Sequence, residues 1–478
     1  MTGFSPDEPA QGSALLDRFG TMLGARHILA NADDMAPYLV EPRGLYHGRA
    51  LCVLRPGSTE EVAAVLTLCN ETRTPVVPQG GNTGLVGGQT PDASGRAIVI
   101  SLERMRALRG IDLASNAMTV EAGMILAAAQ AEAERAGRLF PLSLASEGSC
   151  TIGGNLAANA GGTSVIAYGN ARDLTLGVEA VLADGRIYRG LSKLKKDNTG
   201  YDLKDLFIGS EGTLGIITAA VLKLFPRPAA VATAFIALPS PAAALALLDL
   251  AREKCGGQIT AFELTPRIGL EFVLAHCART RDPLPHAAPW YALLELSSQS
   301  PDGLDERLLQ LLEHAADRGL ICDAAVAASL DQRKTFWRLR DELSDAQRHE
   351  GGSIKHDVSV PVADIARFLT EVEAALAAAA PGARLVAFGH LGDGNIHCNV
   401  SQPIGADRAA FLDRWDEINA IVHGIVARYG GSISAEHGIG QLKRDLLPSV
   451  KDPVALELMR ALKATLDPHG ILNPGKVI

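Results

Sequence analysis

The spacing of apolar residues changes in blocks along the chain, and the blocks read as short strands alternating with helices. Residues 51–54 form an apolar run. Behind it, Ser58-Thr59-Glu60-Glu61 has the form of a capping box, in which hydroxyl and carboxylate take up the free N–H groups of a first helical turn. Helical spacing continues over 63–69, Pro75 stops it, and Val76-Val77 resumes as a strand. A second strand–helix unit covers 118–137. Residues 178–188 predict a hairpin turning at Asp184-Gly185, a pair that tolerates positive φ, and a further strand reaches Phe225. Pro226 and Pro228 then punctuate a domain boundary.

Beyond that boundary the pattern doubles. A strand over 234–238, a helix over 242–254 and a strand over 259–264 are followed by strand 290–297, helix 304–316 and strand 320–325. A charged helix over 331–350 precedes a third instance: strand 357–360, a helix to 380, and strand 385–388. Such a repeat predicts an antiparallel sheet with helices on one face. The expected domains are 1–228, 229–430 and a C-terminal segment, 431–478, returning to the first.

The 478 residues are too many for one core. A net charge of −9 argues against a nucleic-acid or anionic-membrane surface, either of which needs clustered Lys and Arg. No apolar stretch approaches the ~18 residues of a membrane span, and residues 1–12 lack the charged start and apolar core of a signal peptide. The expected compartment is therefore the cytoplasm. Seven scattered cysteines without a C-x-x-C suggest neither a disulfide framework nor an iron–sulfur cluster.

Glycine gathers at 80–88, 153–162 and 209–215, where backbone N–H groups can approach a phosphate without Cβ obstruction. There is no P-loop, and no G-x-G-x-x-G between strand and helix. Each cluster alone fits a tight turn as well as a phosphate cradle, and spacing does not name a cofactor. Together, Pro78-Gln79-Gly80-Gly81-Asn82-Thr83-Gly84, the 153–162 run, Gly209-Ser210-Glu211-Gly212-Thr213-Leu214-Gly215 and the terminal Asn473-Pro474-Gly475-Lys476 resemble the FAD-linked oxidases of the vanillyl-alcohol oxidase and p-cresol methylhydroxylase superfamily, in family order over nearly the whole chain. The resemblance implies an α+β fold: a two-part FAD-binding domain, a ferredoxin-like antiparallel-sheet cap and a small helical C-terminal segment. It implies FAD contacts at Pro78, Gly80, Gly81, Asn82, Thr83, Gly84, Ser143, Gly148, Thr151, Gly154, Asn155, Ala160, Gly161, Glu211, Ile217 and Asn473. Members with covalent flavin often carry His where this chain has Asn82, so non-covalent FAD is expected.

The sharpest chemical motif is Gly389-His390-Leu391-Gly392-Asp393-Gly394-Asn395-Ile396-His397-Cys398-Asn399. A tight hairpin at Asp393-Gly394 sets His390 directly opposite His397, with Cβ atoms ~4.5–5.5 Å apart. Asn399 then points to the same face as His397. Glu436, followed by His437, offers a carboxylate. Two imidazoles and a carboxylate with open positions suit catalytic Zn²⁺, Mn²⁺ or Fe²⁺; a metal-free pair of hairpin histidines is the competing reading. The motif resembles the metal-containing D-2-hydroxyglutarate and D-lactate dehydrogenase branch, which implies His390, His397 and Glu436 as ligands of one divalent ion, Zn²⁺ or Mn²⁺.

On the charged helix, Arg340 and Ser344 at i, i+4 share a face, and Lys355 follows. An Arg fork and a Lys converging on one pocket bind a carboxylate; an ordinary solvated helix competes. The resemblance implies that Arg340, Ser344 and Lys355 hold the far end of the substrate and Asn399 the near end. Several members have Thr where this chain has Ser344. The expected reaction is metal-assisted oxidation of a D-2-hydroxy acid, with His437 as general base and hydride passing to FAD. Two cations besides a metal favour a dicarboxylate, D-2-hydroxyglutarate or D-malate, over D-lactate or glycolate. Electrons would leave to an electron-transfer flavoprotein, cytochrome or quinone. No nucleic-acid partner or transmembrane segment is expected, and a homodimer is compatible with the sequence. From another class, a metal-dependent hydrolase with a nucleotide-binding domain remains an alternative.

Overall fold

A computed structural model describes residues 8–478, with side chains from residue 12 onward. The expectation about a signal peptide in residues 1–12 lies largely outside them. Among the described residues no helix is long and apolar enough to cross a membrane. The chain forms two compact units. One holds the residues up to Ala160, Asn170–Phe225 and His437–Ile478; the other holds Gly161–Gly169 and Pro226–Glu436.

The first unit has two main sheets. In the smaller, Cys52–Leu54, Ile98–Ser101 and Val76–Gln79 run parallel, with Ile28–Leu29 antiparallel at the edge. Helix Thr59–Thr72 follows the capping sequence: Ser58 accepts the Glu61 N–H, and Glu61 accepts the N–H of Gly57 rather than of Ser58. The left-handed Arg73 (φ 57°) ends the helix two residues before Pro75. The larger sheet is antiparallel, in the order Leu108–Asp112, Ala117–Glu121, Ile216–Lys223, Thr175–Val181, Ile187–Gly190. Its last hairpin turns at Asp184-Gly185, where Gly185 has φ 85°.

The second unit is built on an eight-stranded antiparallel sheet. Its first four strands lie in the order Asp323–Val326, Ala230–Leu238, Trp290–Ser298, Ile259–Pro266. In chain order this is 4-1-3-2, the arrangement produced by two strand–helix–strand units laid together. Arg384–His390, Asn395–Ser401 and Ser353–Ile354 extend the sheet, and Asp357–Ser359 also pairs with Asn395–Ser401.

Helices do not lie on one face alone. Ala232, Ala234, Ile236 and Leu238 pack with Leu247, Leu308 and Phe368, residues of helices Pro241–Cys255, Leu304–Asp317 and Ile365–Ala379. Phe235 and Ala237 point the other way, onto Leu270, Phe336 and Leu339 of Arg267–His276 and Leu330–Asp341. Burial on both sides explains why these strands are apolar at consecutive positions. The charged stretch 331–350 is also not one helix: Leu330–Asp341 ends at Glu342, Leu343–Ala346 follows, and Gln347–Glu350 tightens to 3₁₀.

Candidate functional site

In the second unit, His390 ends strand Arg384–His390 and His397 lies in strand Asn395–Ser401. The turn is wider than a two-residue hairpin. Leu391 to Gly394 form the loop, and the N–H groups of Asp393 and Gly394 both donate to the His390 carbonyl, at 3.2 Å each. The register therefore pairs His397 with Phe388, two residues before His390. His390 is the diagonal neighbour on the same face, still within reach, and the imidazole centroids are 5.6 Å apart. Glu436 completes the group: one ligand atom each from His390, His397 and Glu436 lie within 4.8 Å of one another. Asp357, opposite His397 in the ladder, accepts the Glu436 N–H at 2.8 Å and so fixes the backbone that delivers the carboxylate. A Cβ on Gly161 would stand 2.6 Å from Glu436 Oε1, so the bare backbone there makes room for this carboxylate.

The next strand contributes a residue that motif reading passed over. Glu263 pairs with His390 in the ladder and is 1% exposed. His390 Nδ1 lies 2.7 Å from its Oε1, and Arg340 Nε donates to its Oε2 at 2.6 Å. Arg340 Nη2 comes within 3.4 Å of His390 Nε2, and its guanidinium covers the Phe388 ring at 5.4 Å. Arg340 thus stands beside His390, where the candidate ligands gather. The signal for Glu263 was available: it is the one charged residue in Ile259–Pro266, a strand buried at every position.

Electrostatics show what this cluster lacks. Three carboxylates, Glu263, Asp393 and Glu436, act on His390 together with the Arg340 guanidinium, and a fourth, Asp357, acts on Asp393 and Glu436. Burial, reinforced by Asp357 and Asp393, raises the Glu436 carboxyl against the pull of His390 and Arg340. Burial likewise pushes Asp393 up to about 6. At Glu263 burial also opposes ionisation, but His390 and Arg340 win and hold it down at about 2. Burial disfavours a charged His390, yet Glu263 and Glu436 outweigh it and raise the imidazole to about 9. Burial and the neighbouring carboxylates favour the protonated forms of Glu436 and Asp393, and a divalent cation would offset that negative charge while displacing the His390 proton. Donor set and charge both fit a metal.

The remaining substrate candidates are less uniform. Ser344 is exposed and lies past the helix break from Arg340, so the two do not share one helix. Lys355 is half-buried between strands Ser353–Ile354 and Asp357–Ser359. Asn399 is buried; its Nδ2 donates to Gln347 Oε1 at 2.9 Å and its Oδ1 accepts the His356 N–H at 3.3 Å, which leaves one amide hydrogen for a ligand. His437 follows Glu436 across the peptide bond at which the chain re-enters the first unit.

The flavin candidates lie in the first unit, except Gly161. Pro78 lies in strand Val76–Gln79, which opens into Gly80, Gly81, Asn82, Thr83 and Gly84. A Cβ on Gly80 would collide with Thr151 Oγ1, and one on Gly81 with the Ser149 carbonyl, so this loop stacks directly on the next. The second glycine cluster is not a loop throughout. Thr151 caps a helix, Ile152–Ala158, by accepting the Gly154 N–H at 3.3 Å, and Asn155 is buried within it. Ser143 and Gly148 lie in the segment before it, Ala160 just after it, and Ile217 is buried in strand Ile216–Lys223. Asn82 is left-handed (φ 53°); its Nδ2 donates to the Pro37 and Val40 carbonyls, while its Oδ1 is buried without a partner. Asn473 (φ 44°) donates to the Gly88 and Glu211 carbonyls, and its Oδ1 is likewise buried and unpartnered. Two orphaned acceptors beside glycine loops fit a cofactor carrying hydrogen-bond donors. The Glu211 carboxylate is already engaged, accepting the N–H groups of Ile439 and Gly440 at 2.7 and 2.8 Å.

Residues 227–477 match the family of FAD linked oxidases, C-terminal domain, and residues 50–190 match the FAD binding domain family. The chain is 38% identical over 451 residues to the mitochondrial D-2-hydroxyglutarate dehydrogenase of Bos taurus, covering 94% of this chain and 81% of that one. It is 38% identical over 427 residues to a D-2-hydroxyglutarate dehydrogenase of Xanthomonas citri pv. viticola, 89% of each. Among solved structures, p-cresol methylhydroxylase with substrate bound shares the fold at a TM-score of 0.75 and 16% identity, covering 99% of this chain and 98% of that one.

Proposed function

The chain belongs to the FAD-linked oxidases and is an FAD-dependent dehydrogenase of the D-2-hydroxyglutarate dehydrogenase group, and from that premise we infer that it oxidises D-2-hydroxyglutarate, with D-malate as a second dicarboxylate substrate, at a divalent-metal site. The hydrolase alternative falls, because the match to FAD-linked families extends far beyond the metal motif. One observation carries the reading: three ligand atoms within 4.8 Å of one another, beside a half-buried guanidinium and among buried carboxylates.

His390, His397 and Glu436 would hold Zn²⁺ or Mn²⁺, and the glycine loops with Asn82 and Asn473 would hold FAD without a covalent bond. Bound FAD supplies the hydride acceptor, and a bound ion supplies Lewis-acid polarisation of the hydroxyl. Arg340 pairs with a substrate carboxylate through the N–H groups that Glu263 leaves open. Lys355 takes the second carboxylate, and the spare amide hydrogen of Asn399 is available to a substrate oxygen. His437 accepts the hydroxyl proton on a ring nitrogen, a task matched to an imidazole near neutral pH.

The test is steady-state turnover with an artificial electron acceptor. Efficiency on D-2-hydroxyglutarate should exceed that on D-lactate, and Arg340→Ala should cost the dicarboxylate roughly 10- to 100-fold, the scale of one charge-assisted hydrogen bond. Equal efficiency on both acids, or an indifferent Arg340→Ala, contradicts the assignment.

A further inference from the structure

We propose that Glu263 is a positioning residue that locks a metal ligand and the substrate-binding guanidinium into one geometry. The inference rests on the site reading above and adds to it a residue that neither motif contains. Glu263 sits in strand Ile259–Pro266, buried at every position, where an unpaired carboxylate is costly. Its two oxygens go to different partners: Oε1 to His390 Nδ1 at 2.7 Å, Oε2 to Arg340 Nε at 2.6 Å.

Each bond has a directional consequence. The one at Nδ1 places the imidazole hydrogen there and leaves Nε2 facing Glu436 Oε1, 3.5 Å away, as a ligand requires. The one at Nε fixes the roll of the guanidinium, so that Nη2 reaches to 3.4 Å from His390 Nε2 while the plane rests over Phe388. Ladder pairing of Glu263 with His390 holds the carboxylate on the sheet itself, so the two partners share one rigid reference. Ion and substrate carboxylate are therefore set relative to each other by a group that touches neither.

Glu263→Gln in the FAD-loaded enzyme separates this from a merely structural role. Only one end of a carboxamide accepts hydrogen bonds, so its two ends cannot take an imidazole N–H and a guanidinium N–H as the two carboxylate oxygens do. Zinc titrated calorimetrically into chelator-treated enzyme should bind about 10- to 100-fold more weakly, the range for a lost orienting partner of a metal-ligating His. KM for D-2-hydroxyglutarate should rise as well, with flavin content unchanged. Arg340→Ala should raise KM without weakening zinc, so that only the Glu263 variant moves both. If Glu263→Gln fails to fold, Glu263→Asp keeps the charge one methylene short of spanning both partners, and the same double loss is expected. Wild-type zinc affinity and KM in either folded variant, or a change in only one of them, overturns the proposal. Wild-type enzyme that binds no zinc, or that loses none through His390→Ala, overturns the site reading along with it.

Discussion

His390 shows how far a side chain can be steered by its neighbours: two carboxylates, Glu263 and Glu436, overcome the cost of burial and raise its affinity for a proton. Ligation needs that nitrogen free, so His390→Ala or Glu436→Gln should abolish stoichiometric metal and with it turnover, read by elemental analysis beside activity. A second group shows the opposite balance. Lys476 is 2% exposed; burial lowers its ammonium, Asp92 opposes, Arg444 assists, and the folded pKa falls to about 8. The unfolded lysine keeps its proton up to ~10.4, so between those values the unfolded chain binds more protons and stability rises with pH. Lys476→Met should flatten that rise in thermal melts from pH 7 to 10. A rise of the same slope in the variant would exclude Lys476 as its source. Thiol reactivity follows burial too. Cys52 is pushed up to about 12 by burial and Cys277 to about 11 by burial and Glu342, whereas Cys322 is exposed. A maleimide at neutral pH should label Cys322 first, as peptide mapping by mass spectrometry would show.

Among the elements, the turn of the hairpin that carries His390 and His397 does the most. Asp-Gly between apolar runs announces a hairpin but not its length, and the four-residue loop shifts the register so that Phe388, not His390, opposes His397. The two imidazoles still meet because a two-residue shift preserves the face, which is why their proximity was legible although the pairing was not. Gly394, at φ 92°, runs beneath the Val360 carbonyl, where a Cβ would collide. Gly394→Ala should lower both melting temperature and zinc affinity; a fall in neither would mean that the loop tolerates the side chain. The helix opened by Ser58 was legible from its capping box, and Ser58→Ala should cost about 1 kcal/mol in denaturant unfolding. Legibility ended where tertiary packing decided the outcome. Nothing local in 331–350 marks the break at Glu342 that separates Arg340 from Ser344. Helices on both faces of the second sheet are legible in its consecutive apolar positions, whereas the repeated strand–helix–strand order alone predicts helices on one face. Glu263 belongs to a strand rather than to a motif, so its only sequence signal is a lone charge in an otherwise uncharged strand.

For the whole molecule, the doubled strand–helix–strand pattern and the glycine loops carried the fold, because each is a local signal repeated along the chain. The assembly of either unit from distant segments was less visible: residues 161–169 fall with 226–436, and residues 437–478 with the first unit. Glu436 and His437 are thereby neighbours in sequence but members of different units. The proposed oxidation needs both a flavin and an ion. Anaerobic mixing of the purified flavoprotein with D-2-hydroxyglutarate, before and after chelation, tests it most directly. The flavin's visible absorption should bleach in native enzyme, persist after chelation, bleach again once Zn²⁺ or Mn²⁺ is restored, and not respond to the L-enantiomer. Full bleaching at an unchanged rate in protein shown to be metal-free would contradict the account.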